Sequence, residues 1–359
     1  MRPLKMLLAF FALGFAVSCG APEGEKPMEE KLVLVPAKLT FSADGVDEVH
    51  FTVTRGGVDV TAEAQVCQTG KSCLTRPVFT TETPGDYEFY ASLTNDTTVK
   101  SDPVTITAIT IDEPEPDKAF RKNVTFFTFT GTWCAPCYTF KNTMKEVMEE
   151  RGDEVVSVNF YMTSDAEVDL AEQNDYYDQM TGAGFDLGNI PASFVDLDTP
   201  LMDDEGQPSL EEIEATLATS AATPAPVGIR VDSEKSGPYI NVEAEVFASV
   251  AGEYRIGILL VEDDIDARQM NDTTGYEEHY NHTNVLRTVA AGDVFGAPAV
   301  AIAEGEASTA THRFTVSSQM NAKNLSIVVY VLRYAADRWI IVNSVKATST
   351  GLTDYRYVE

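Results

Sequence analysis

The chain has 359 residues, 56 Asp plus Glu against 26 Lys plus Arg, and a formal net charge of −30. That length predicts two or three domains, and the acidic excess excludes nucleic acid as a partner, because affinity for a phosphate backbone rests on clustered Lys and Arg. Hydrophobic residues at 44% and charged residues at 23% are ordinary globular values, so the acidity does not mark disorder.

Arg2 and Lys5 precede an apolar run over residues 6–17. It is too short for a hydrocarbon core of about 30 Å but suits a signal peptide. The small residues of Ala16-Val17-Ser18-Cys19-Gly20 resemble the bacterial lipobox. That resemblance implies that residues 1–18 are removed, that Cys19 is acylated, and that the protein is held to a lipid bilayer through it. No later stretch reaches the roughly 18 apolar residues of a membrane helix. Residues 19–31, polar and rich in Pro and Glu, read as a tether. Lipidation accounts for the odd one of five cysteines. The other four form two local pairs, Cys67 with Cys73 and Cys134 with Cys137, which an oxidising exported compartment allows to be disulfides.

Over residues 32–112, short β-rich runs at 32–35, 49–54, 58–61, 87–93 and 104–110 are split by turns such as Arg55-Gly56-Gly57. This spacing predicts a small β-sandwich. The stretch from Pro84-Gly85-Asp86-Tyr87 to Pro103-Val104-Thr105-Ile106 resembles bacterial immunoglobulin-like modules. Cys67 and Cys73 flank a turn and are expected to form a structural disulfide. Glu113-Pro114-Glu115-Pro116-Asp117 reads as a stiff linker.

The period then changes. An apolar strand over 124–130 is followed by Trp133-Cys134-Ala135-Pro136-Cys137, after which Cys137, Phe140, Met144, Val147 and Met148 recur at helical steps, with Gly152 as a stop. A strand at 155–161, a polar helix at 166–180, a strand at 189–195 and a helix opened by the capping box Ser209-x-x-Glu212 complete an α/β unit over 118–222. A cysteine at a helix N-terminus is favoured as the thiolate. Cys134 holds that position, Cys137 is one turn further on and placed to resolve a mixed disulfide, and Pro136 sits where its missing N–H costs nothing. The pair could instead be purely structural, or half of a zinc site. Zinc requires a second pair of ligands, and the one His pair, His279 and His282, lies in another domain.

This segment resembles the thioredoxin family in its Trp-Cys-x-Pro-Cys motif, in the strand and helix around it, and in Ile190-Pro191, which stands 53 residues after Cys137 and matches the family's cis-proline loop. The resemblance implies that Ile190 offers backbone groups to a substrate peptide, that Pro191 is cis, and that Trp133 flanks the nucleophile. In one departure, Thr128 stands six residues before Cys134, where many thioredoxins carry a buried Asp.

Beyond Thr223-Pro224-Ala225-Pro226, strand-like runs at 240–248, 254–261, 311–316, 325–334 and 339–346 predict a C-terminal β-sandwich over 225–359, its last two strands a hairpin. The expected fold is multidomain: an immunoglobulin-like β-sandwich, an α/β thioredoxin-like unit, and a C-terminal β-sandwich. Weaker signals are Glu277, Glu278, His279 and His282, a metal site or more simply a hydrogen-bonded loop, and the sequences Asp96-Thr97-Thr98 and Asp272-Thr273-Thr274, which resemble an O-glycosylation sequon. The acidic stretch 196–212 fails as an EF-hand, since its first ligand would be Leu201.

The lipobox, the Trp-Cys-x-Pro-Cys unit and a C-terminal domain containing His279-Tyr280-Asn281-His282-Thr283-Asn284-Val285-Leu286-Arg287 together resemble the twenty-eight-kilodalton outer-membrane protein family over about 118–359. That resemblance implies a lipoprotein of the bacterial outer membrane, on its periplasmic face or at the cell surface. The expected function is thiol–disulfide exchange on exported protein thiols or disulfides, needing neither cofactor nor metal. The competing reading is a surface binding protein or adhesin that uses the thioredoxin-like unit as scaffold. Oligomeric state is left open. Residues 152–229 hold 17 Asp plus Glu and no Lys or Arg, and this half carries Pro191, so basic or neutral substrate peptides are expected to be preferred.

Overall fold

The computed structural model describes residues 31–111, 113–115, 118–162, 174–202 and 207–358. The leader, Cys19 and nearly all of the tether lie outside the described residues, as does the first half of the helix expected at 166–180. The molecule is β-rich, with several sheets and three α-helices among the described residues.

In the first unit two four-stranded sheets face each other. In one, Val49–Arg55 pairs antiparallel with Leu32–Pro36, Val58–Asp59 and Val78–Phe79. The other runs Thr40–Ser42, Val104–Ile109, Gly85–Leu93, Ala64–Gln68, its first pair parallel. Alternation puts Val49, Phe51 and Val53 on the inner face, where they meet Phe41, Phe89 and Ile106. Three of these strands, Thr40–Ser42, Ala64–Gln68 and Val78–Phe79, were not expected from sequence, being short and without clear alternation. The Cys67–Cys73 disulfide closes the turn after Ala64–Gln68.

In the middle unit Val124–Thr130, buried at every position, pairs parallel with Val155–Tyr161 and antiparallel with Ala192–Val195, which pairs in turn with Thr199–Pro200. A continuous apolar run is what a strand covered on both faces requires. One face meets α1 (Ala135–Arg151) and, after α2 (Asn174–Gly182), α3 (Leu210–Ala221), through Phe126, Phe140, Met144, Val147, Ile213 and Leu217. On the other face lie Phe127, Phe129, Phe160 and Met180 of α2. The expected capping box is formed, Ser209 accepting from the Glu212 N–H while Glu212 accepts from Ser209. The strand read at 189–195 is shorter than expected and begins after Pro191, at Ala192.

The sheet continues beyond this unit. The outer edge of Val155–Tyr161 pairs with Val285–Val289, Asn159 standing opposite Val285 and donating its N–H to the Asn284 carbonyl at 2.8 Å. Gly252–Glu262, Leu325–Ala335 and Arg338–Thr348 follow, and with Val300–Ile302 on a side branch the sheet has nine strands. A second sheet, Ala307–Thr315, Tyr239–Ala248, Val227–Ser236 and Gly351–Thr353, packs on the C-terminal part of the first. The C-terminal sandwich therefore shares one leaf with the middle unit. From the same region a hairpin, Ile265–Asn271 with Gly275–His282, lies against α1.

Phe120 closes the joint between the units. Its backbone bridges to Ala225 and Tyr357, and its buried ring packs against Phe247, Tyr355 and Tyr357 at centroid distances of 6.0, 5.7 and 5.1 Å. A Cβ on Gly228 would lie 2.3 Å from that ring, so the close approach requires glycine. Truncating a buried aromatic costs about 3–5 kcal/mol. Phe120→Ala is expected to lose that much in urea denaturation, whereas a loss below about 1 kcal/mol would show that the joint does not depend on this ring.

Candidate functional site

Cys134 is the N-cap of α1. Its sulfur accepts the Cys137 N–H at 3.2 Å, with Pro136 in the first turn. The two cysteines are joined as a disulfide, Cys134 almost buried and Cys137 wholly so. The Ile190–Pro191 peptide bond is cis, and the Ile190 carbonyl oxygen lies 3.4 Å from the Cys134 sulfur. The sequence-predicted residues Trp133, Cys134, Pro136, Cys137, Ile190 and Pro191 thus converge on one place. Trp133 is 39% exposed, and its indole N–H donates to the Met162 carbonyl at 3.4 Å. Gly131 makes room for it, since a Cβ there would meet the indole at 2.9 Å.

A groove of about 640 Å³ opens beside the disulfide, lined by Pro136, Ile190, Pro191, Asp186, Asp198 and Arg338 among others. Arg338, at the tip of the C-terminal hairpin, pairs with Asp198 at 3.3 Å. Gln207 braces the opposite wall by donating to the Pro136 carbonyl at 2.7 Å. Thr128, at the position noted in the sequence, bonds the Ser193 hydroxyl at 2.8 Å.

Under the disulfide loop lies a polar cluster that sequence reasoning missed. Gln269, fully buried on the hairpin, donates to the carbonyls of Cys134 at 2.9 Å and Gly131 at 3.3 Å, while the Met270 N–H donates to Thr132 O at 2.7 Å. Lys141 of α1, 6% exposed, donates to the Gln269 carbonyl oxygen and, at 3.3 Å, to the Tyr161 hydroxyl. That hydroxyl is 2.7 Å from His282 Nδ1. Burial, with the charge of Lys145 adding, pushes the Lys141 pKa well below that of an ordinary lysine. Burial, with Lys141 adding, pushes His282 down to about 3. The available signal was Lys141 itself, a cation on the apolar face that α1 turns inward. Gln269, which accepts from it, and His282, which bonds the Tyr161 hydroxyl, come from 128 and 141 residues further along the chain and had none.

The histidine pair is divided. His279 is exposed and pairs with Asp266 at 3.0 Å, while His282 is buried, as an odd separation along a strand requires. The expected loop is a strand. Among the described residues no group of three or more His, Cys, Asp or Glu is placed to hold a metal ion.

A scan of family models finds a match at the C-terminal side of this site. Residues 203–350 match the family of the outer membrane protein Omp28. The Omp28 resemblance read from the sequence is thereby shown for α3 and most of the C-terminal sandwich, including the hairpin that carries Gln269 and His282. The outer-membrane location that the family resemblance implies agrees with this match. Among the described residues no helix is long and apolar enough to cross a membrane. No curated protein matches the chain. Among solved structures, HBP35 of Porphyromonas gingivalis is similar at 15% identity and a TM-score of 0.51, over 65% of this chain and 76% of that one. A domain of the outer membrane lipoprotein Omp28 from the same organism aligns at 18% identity over 35% of this chain and 90% of that one, with a TM-score of 0.24.

His282 gives this site a pH signature. Its pKa is about 3 in the folded chain against the usual 6.5. Between those values the unfolded chain binds a proton that the native state does not. Stability is fully present above about pH 6.5 and falls as pH drops, by up to about 1.4 kcal/mol per pH unit. Urea titrations at pH 7 and pH 4.5 should show this loss in the wild type and a smaller one in His282→Gln, and equal losses would contradict a neutral buried imidazole.

Proposed function

We propose that the chain is a membrane-anchored thiol–disulfide exchange protein acting on exported proteins, held to the lipid through acylated Cys19. The observation that carries this is the Cys134–Cys137 disulfide at the start of α1, with the carbonyl of the cis Ile190–Pro191 step 3.4 Å from the Cys134 sulfur and a groove lined by Pro136, Ile190 and Pro191 alongside. The strand order Thr199–Pro200, Ala192–Val195, Val124–Thr130, Val155–Tyr161 with α1 and α3 on one face supports a thioredoxin-like unit. The likeness to HBP35 is in keeping with this reading at the level of fold. The first sandwich is read as immunoglobulin-like, with Cys67–Cys73 as its structural staple.

In the reaction the Cys134 thiolate, stabilised by the α1 N-terminus, attacks one sulfur of a substrate disulfide. The other substrate sulfur leaves, and a mixed disulfide forms. Cys137, one turn further on, then attacks the Cys134 sulfur, restoring the Cys134–Cys137 bond and releasing the substrate as a dithiol. The reverse sequence oxidises a substrate dithiol, and the relative reduction potentials decide the direction. Trp133 and Pro136 border the approach, and Ile190 offers its backbone beside Pro191. Asp186 and Asp198, with Arg338 paired to Asp198 alone, leave the groove acidic on balance, which favours basic or neutral peptides.

An insulin-reduction assay with a dithiol reductant tests the proposal. The wild type should accelerate precipitation at least tenfold over Cys134→Ser, while wild-type activity no greater than that variant's would remove the exchange reading and leave that of a binding protein.

A further inference from the structure

A lysine on the buried face of a helix needs a physical account, because taking an ammonium out of water costs several kcal/mol unless a counter-charge repays it. Lys141 has none among the described residues. The groups packed against it are Lys145 on the next turn of α1, Tyr161 of the adjacent strand, and Gln269, Tyr280 and His282 of the hairpin. None of these carries negative charge near neutral pH. Burial holds the Tyr280 phenol protonated and His282 neutral, and Glu149 and Glu277 act on Lys145. Yet the lysine is held in place. Lys141, four residues after Cys137 on α1, reaches Gln269, whose amide N–H groups hold the Cys134 and Gly131 carbonyls. The charge this position lacks is the one that appears on Cys134 when the disulfide opens.

We propose that Lys141, joined to the disulfide loop through Gln269, is the redox-linked proton site of the Cys134–Cys137 pair, taking up a proton on reduction and holding Cys134 as the thiolate. This rests on the reading that the pair cycles between disulfide and dithiol. Reduction by an external dithiol delivers two electrons and two protons. One proton stays on Cys137 as the thiol, and the other goes to Lys141 Nζ, leaving a thiolate and an ammonium. When Cys134 attacks a substrate disulfide, the first sulfur to leave takes the Lys141 proton and the second takes the Cys137 proton. The substrate departs as a dithiol and Lys141 returns to the amine. Lys141 is a charge-setting and positioning residue, and the carboxylate absent at Thr128 is not needed for this balance.

The test is the pH dependence of Cys134 alkylation by iodoacetamide in the fully reduced protein, followed at that residue by peptide mass spectrometry. The wild type should react with a midpoint below the ~8.5 of a free thiol and with two inflections, because thiol and amine titrate as a coupled pair. Lys141→Met should raise the midpoint by about one pH unit, a tenfold loss of thiolate, and Lys141→Arg should keep the low midpoint with one inflection. A single wild-type inflection near 8.5, or a folded Lys141→Met whose profile overlays the wild type, would overturn the proposal, the first without any variant. Alkylation needs no protein substrate. A shifted Lys141→Met profile in a protein inactive on insulin would therefore retire the exchange reading and keep the lysine's role, and active protein with overlaid profiles would do the reverse.

Discussion

Strand Val155–Tyr161 would present an open edge of unpaired N–H and C=O groups if the middle unit stood alone. Val285–Val289 joins that edge at Asn159, and the geometry of the site follows from this pairing. Because the C-terminal sandwich is joined to the sheet at Asn159 and Val285, the chain just before Val285 has to pass over α1, and the hairpin Ile265–Asn271 with Gly275–His282 fills that space. Its buried Gln269 then meets the underside of the loop that carries Cys134. The disulfide loop is thus supported by its own helix from one side and by a different domain from below.

A second joint acts in the same direction. Asp196, buried after Ala192–Val195, accepts from the Thr125 N–H at 2.9 Å and pairs with Lys122 at 2.8 Å, while Ser220 at the end of α3 also donates to it. Its carbonyl takes the Ile341 N–H at 2.7 Å, so one residue ties a central strand, α3 and the C-terminal hairpin. A buried carboxylate is tolerated when it is paired and hydrogen-bonded in this way. Lys38 does the same between the first sandwich and the C-terminal domain, reaching Asp47 at 2.9 Å and Asp232 at 2.6 Å. A strongly acidic chain here places its few buried lysines at joints between units or under the disulfide.

Much of this was legible in the sequence wherever the signal is local. The runs at 124–130 and 155–161 are the observed strands residue for residue, and the capping box opens α3 at the expected residue. Ile190-Pro191, recognisable by its spacing from Cys137, lies against Cys134. What could not be read depends on partners distant in sequence. Val227–Ser236 begins directly behind a Pro-rich segment that reads as a linker, and its pattern is clear only once Tyr239–Ala248 lies beside it. Val285–Val289 is five residues long and carries Arg287 and Thr288, so it shows neither an apolar run nor alternation. Gln269 and His282 have no periodicity that points to Cys134. Separate domains were the natural reading of the linker at 223–226, because edge pairing between units leaves no mark on composition.

The account turns on Cys134–Cys137 being a working redox couple, and its reduction potential tests that most directly. Equilibrating the purified protein in graded dithiol buffers and trapping the free thiols for mass analysis would give the value for this pair. A potential above about −300 mV, within reach of exchange partners, is what the account predicts. A potential below about −300 mV, in the range of inert structural disulfides, would contradict it.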